Sequence, residues 1–121
     1  MPQSEPTHPA VSWGAEAAYC IPAEVVSLLR AQAQEPTAAA VIYLKLFTPD
    51  AGCTWLISEW HEEAGEVLLF GLCDLGMGFP ELGYVSLHEL MSIRGKLGLP
   101  VERDLYWEPT LLATVTTRNI D

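Results

Sequence analysis

Apolar positions come in two kinds of pattern along this chain. Between residues 39 and 73 they alternate with polar residues or run unbroken, as strands require. On either side they recur at helical spacing. Ile21 to Gln34 reads as a helix, with Val25, Leu28 and Leu29 on one face and Pro22 suited to its first position. Pro36 and Thr37 end it. Ala39 to Phe47, Cys53 to Trp60 and Glu66 to Cys73 read as three strands, joined by turns at Thr48–Gly52 and Glu62–Gly65. Such short connections imply an antiparallel meander. A brief fourth strand, Leu82 to Val85, follows the glycine-rich stretch Gly76–Pro80.

Ser86 then opens a second helix. Ser86-x-x-Glu89 is a capping box, in which hydroxyl and carboxylate each satisfy a free backbone N–H. Leu87, Leu90 and Met91 form its apolar stripe, and Gly95 suits a left-handed stop. Lys96 to Pro100 reads as a tight connector and Val101 to Trp107 as a last strand. Arg103, between Glu102 and Asp104, suggests an ion-pair network that pins this connector to the second helix. The expected fold is α+β: an antiparallel sheet of four to five strands with two short helices, in a single domain over residues 21–112. Residues 1–20 read as a loose N-terminal arm that Trp13 and Tyr19 could dock, and residues 113–121 as a C-terminal tail.

The strands carry a further implication. Val41, Tyr43 and Phe47 alternate with Ile42, Leu44 and Leu46, so both sets are apolar. Both sets in Val67–Cys73 are largely apolar too. Strands of this kind need cover on both faces. Two helices can cover one. The other falls to the arm, the tail, a second copy or a partner.

Composition narrows the function. The chain has 121 residues, half of them apolar, which suits one domain with one core. Lys and Arg number 6 against 16 Asp and Glu, a net charge of −10. That balance disfavours direct binding to nucleic acid or to an anionic membrane, and favours a basic partner. It also serves solubility alone. No apolar run is long enough to span a bilayer, and the first residues lack the basic and apolar regions of a secretory signal. Three cysteines without paired spacing read as reduced thiols, so a cytoplasmic location is expected.

Candidate chemistry is sparse. His8, His61, His88, Cys53 and Cys73 lack the close pairing of zinc ligands, so no metal and no cofactor is expected. Cys73-Asp74, ending a strand beside the Gly76–Gly78 loop, is the one plausible address for a nucleophile, with His61 or His88 as base. Leu75-Gly-Met-Gly78 falls short of a phosphate-binding fingerprint. The acids Glu59, Glu62, Glu63 and Glu66 gather around one hairpin, with Asp74 and Glu81 further on. They form either a solvated turn or part of a surface for a basic groove.

Several of these segments together resemble one family. They are VIYLKLFTPD at 41–50, Cys53-Thr-Trp55, FGL at 70–72, ELGY at 81–84, Ser86-Leu-x-Glu89-Leu, Arg94-Gly95 and GLPVERDLYW at 98–107. The family is catalogued as domain of unknown function 2958, and the resemblance spans roughly residues 21–112. It implies a bacterial protein carried on plasmids, phages or other mobile elements, sometimes beside antirestriction genes. It brings no catalytic residue and no cofactor.

These readings converge on a small acidic binding protein without enzymatic activity. The expected role is inhibition of a host-defence nuclease or nucleic-acid-binding complex, in the manner of an antirestriction or anti-CRISPR protein. The alternatives are a cysteine-dependent enzyme around Cys73 and a homodimeric scaffold.

Overall fold

A computed structural model describes residues 9–35 and 39–116. The first eight residues with His8, the Pro36–Thr37 helix end and the last residues of the tail lie outside that range. The elements run β1 (Val11–Ser12), a 3-10 turn (Ala17–Tyr19), β2 (Cys20–Ile21), α1 (Ala23–Gln34), β3 (Val41–Ile42) and β4 (Leu44–Phe47). Then come β5 (Thr54–Glu63), β6 (Glu66–Asp74), β7 (Glu81–Ser86), α2 (Leu87–Ser92), β8 (Glu102–Arg103), β9 (Thr110–Leu111) and α3 (Leu112–Thr116). The main sheet is antiparallel with the order β7-β6-β5-β4-β8. It is the α+β meander the sequence implies.

The β5–β6 hairpin closes on Ala64 and Gly65, both with positive φ (52° and 82°). Two such residues match the right-handed twist of the flanking strands. Gly71 lies opposite Ile57, where β5 bulges at Ser58. A Cβ on Gly71 would collide with the Leu56 carbonyl oxygen and lie 2.8 Å from the Ile57 Cα. Only glycine lets β6 approach the bulge.

The bulge resets which side chains face which way. Trp55, Ile57 and Trp60 face α1 and α2 and join Leu44, Leu46, Leu69, Val26, Leu29, Leu87 and Leu90 in the main core. Each fully buried Leu or Ile there contributes ~1.5–3 kcal/mol. Leu56 faces the other way. It joins Ile42, Leu72 and Val115 in a second core, against which Trp107 and Leu112 pack.

Gln32 fastens α1 to the bulge. Its amide donates to the carbonyls of Ser58 (2.6 Å) and Val41 (2.8 Å), and its oxygen accepts from the Val41 N–H (2.9 Å).

Several expectations need correction. α1 begins at Ala23 with Pro22 as its cap, and it buries Val26 and Leu29 while Leu28 is exposed. The expected strand Ala39–Phe47 breaks at Tyr43. Tyr43 packs on the main core, so Ile42 falls on the opposite face from Leu44 and Leu46. The last strand shrinks to Glu102–Arg103, because only these residues pair with β4.

Ser86 caps α2 as expected, accepting from the Glu89 N–H at 3.2 Å. The reciprocal half of the box is missing: the Glu89 side chain is exposed, and Ser86 already pairs with Leu68. α2 stops at Ile93, and Gly95 is not left-handed; that conformation belongs to Gly98 at φ 79°. Gly95 is needed for room, since a Cβ there would strike the Asp50 carboxylate, which accepts from the Leu97 N–H.

Arg103 makes no ion pair with α2. Its guanidinium donates to the carbonyls of Cys20 (2.5 Å) and Ala17 (3.3 Å), and so holds the N-terminal segment. From Val11 onward that segment is anchored: β1 pairs with β2, and the Trp13 indole N–H donates to the Val101 carbonyl at 2.9 Å.

Two glycines of the sheet therefore predict opposite outcomes. Gly71→Ala should lower stability by about 3 kcal/mol, as a backbone collision does. Gly83→Ala, whose Cβ would meet nothing within 4 Å, should be neutral or slightly stabilising. Urea midpoints of the two variants measure the difference.

Candidate functional site

The predicted acids do not form one surface. Glu59 turns back to His61, carboxylate to Nε2 at 2.7 Å, and is half-buried. Glu62 lies on the helix face and pairs with Arg30 of α1 at 2.6 Å. Glu63 and Glu66 are exposed at the hairpin tip. Asp74 and Glu81 sit at the far end of β6 and β7, facing across from Thr54 and Cys73. Asp74 caps its own loop by accepting from the Gly76 N–H at 2.9 Å. The hairpin knob is thus two free carboxylates, while Asp74 and Glu81 belong to the opposite end of the molecule.

The candidate nucleophile is also separated from its candidate bases. Cys73 pairs with Trp55, on the helix face of the sheet. His61 pairs with Leu68 and lies on the other face, locked to Glu59. His88 is exposed on α2. Burial pushes the Cys73 thiol above its ordinary pKa of 9.0, so it stays protonated near neutrality. Among the described residues, no three His, Cys, Asp or Glu side chains gather as metal ligands would.

What the structure does bring together is apolar and open. Leu75, Met77 and Phe79 stand on the loop between β6 and β7, with Met77 75% and Phe79 80% exposed. Beside them is a groove of about 550 Å³. Its floor is the helix face of the sheet at Trp55, Cys73, Gly83 and Val85, and Ile93 forms one wall. Leu82 and Tyr84 line its open margin, along β7. Among the described residues, Glu81 is the one carboxylate that lines the groove.

Among the described residues, the opposite face of the same strands is also left open at Leu82 and Tyr84. Tyr84 is 60% exposed, and its ring lies 4.9 Å from Phe70 and 5.6 Å from the His61 imidazole. Among the described residues, α3 and Trp107 cover Leu56 and Leu72 on this face. The spare apolar face expected from the sequence is therefore half filled by the chain's own C-terminal segment. Trp107 clamps that segment by donating its indole N–H to the Ile42 carbonyl at 3.0 Å, with the Lys45 ammonium 5.8 Å from its ring centre.

Sequence reasoning missed the groove. Its signal was present: ELGYVS at 81–86 has no Lys or Arg to protect an edge strand, and the loop before it carries three large apolar residues.

Fold and surface together define a small α+β domain built on an antiparallel meander with one open end. The chain belongs to the family described as protein of unknown function (DUF2958), whose model matches residues 20–118. No curated protein and no solved structure matches the chain.

The position of Cys73 yields a test. In the native protein near pH 7.5, Cys73 should react with iodoacetamide much more slowly than the same thiol in urea, read by peptide mass spectrometry. Rapid native alkylation would require an activating base that the geometry does not supply.

Proposed function

We propose that this protein is a non-catalytic binder of a mobile genetic element. It docks onto a basic protein of the cytoplasm, a nuclease or nucleic-acid-binding component of host defence, and blocks it. The observation that carries this reading is the uncovered apolar end, where Met77, Phe79, Leu82 and Tyr84 surround a groove on a chain of net charge −10. Exposed aromatic and methionine side chains in a shared patch are the chemistry of protein contact. The acidic surround favours encounter with a basic surface and disfavours direct contact with nucleic acid. The family resemblance supplies the mobile-element setting and is association, not mechanism.

The cysteine-enzyme alternative draws no support from a protonated thiol that has its candidate histidine across the sheet. A homodimer would use the same apolar end. It would bring together two chains of net charge −10, which costs most at low salt.

Affinity capture from cells that carry defence systems tests the reading. The wild-type chain should retain a protein with an isoelectric point above about 9, released as salt rises. The double variant Met77→Asp, Phe79→Asp should lose it, while urea midpoints show the variant folded. Retention of acidic proteins only, or equal retention by the double variant, would contradict the proposal.

A further inference from the structure

The two edges of the main sheet are treated differently. At one edge β8 is only two residues long, and its Arg103 is tied to the carbonyls of Cys20 and Ala17, which cover that side. At the other edge β7 has six residues, pairs with β6 without a bulge and carries no Lys or Arg. Among the described residues, no strand pairs with its outer side. Edge strands are ordinarily blunted by charge, proline, a bulge or brevity. Pro80 precedes β7, and within it only Glu81 is charged.

We infer that β7 is the docking edge, and that the partner contributes an extended basic segment that adds to it as a sixth strand. The inference rests on the reading of the chain as a binder and specifies how it binds. A strand laid along β7 would meet unpaired backbone N–H and C=O groups, which supply affinity independent of sequence. Its side chains would alternate between two environments. One set enters the groove over Gly83, where an added Cβ would meet nothing within 4 Å. That set is apolar.

The other set runs beside Leu82 and Tyr84. There the exposed Tyr84 ring offers a face to a Lys or Arg cation. Charge favours the same occupant: residues 66–86 carry Glu66, Asp74 and Glu81 and not one Lys or Arg, and Glu89 follows on α2. A second copy of the chain would bring the same carboxylates to this edge.

The test uses the isotope-labelled full chain and, as probe, a short capped peptide alternating valine and lysine. Two further probes carry N-methyl groups on one or the other alternate set of amides. The amide resonances of residues 81–86 should shift on titration with the parent peptide. One N-methylated probe should fail to bind and the other should bind like the parent, because a strand presents only one set of amides to its neighbour. Gly83→Leu, which fills the groove from a position with room for a side chain, should weaken binding about tenfold or more.

Absence of shifts at 81–86, or equal binding by both N-methylated probes, would overturn strand addition. So would protection of the β7 amides by a second copy before any probe is added. Capture of a basic protein that depends on Met77 and Phe79 but leaves the β7 amides untouched would retain the binder and remove the strand. Capture of no basic protein would remove the binder itself.

Discussion

Leu56 and Ile57 are neighbours in the chain, both fully buried, and they face opposite sides of one sheet. Everything else in the fold answers that demand. A central strand apolar on both faces cannot be satisfied by helices on one side. α1 and α2 close the first face around Leu29, Leu69 and Leu90. The chain then has to bring its C-terminal segment around to the second, where β9 pairs with β3 and Val115 and Leu112 reach Leu56 and Leu72. Trp107 and Trp13 fasten the segments around them by indole hydrogen bonds to the Ile42 and Val101 carbonyls. Each is a part-buried bond across the fold, and a net contribution of ~0.5–1.5 kcal/mol is ordinary for such a bond.

Among the described residues, cover of the second face ends before the sheet does. α3 is five residues long, and it shields β3 and β5 with part of β6. Val85 of β7 still packs on the main core, but Leu82 and Tyr84, and Leu75, Met77 and Phe79 of the loop before it, stay exposed among the described residues. The outcome is an asymmetric molecule. One edge is short and strapped down by Arg103, and the other is long, acidic at Glu81 and largely apolar beyond it. That asymmetry, more than the net charge, gives the binding proposal a location.

Local rules were legible in the sequence, and long-range ones were not. The Ser86 cap, the turn within Glu62–Gly65, which closes on Ala64 and Gly65, and the consecutive antiparallel strands all follow from chemistry confined to a few residues, and each is present. The side-chain parity of Val41–Phe47 was misread because the break at Tyr43 has no turn residue to announce it. Arg103 reads in the sequence as pinning its connector to the second helix, yet its acceptor Cys20 lies 83 positions away. Gly95 looked like a helix stop, although its reason is the Asp50 carboxylate, again distant in sequence. The acids of the hairpin were visible as a cluster, but pairing of Glu62 with Arg30 and of Glu59 with His61 disperses them. The groove needed the fold, because Trp55, Cys73, Gly83 and Ile93 meet only across three elements and a loop.

The central claim is that β7 is an open edge in the free protein. Amide hydrogen exchange of the chain alone, resolved by residue, measures this directly. The account predicts slow exchange through β5 and β6 and rapid exchange at alternate positions of β7, where the outward N–H groups meet solvent. Uniform protection along β7 at every protein concentration would mean that the edge is already covered, and would contradict the account.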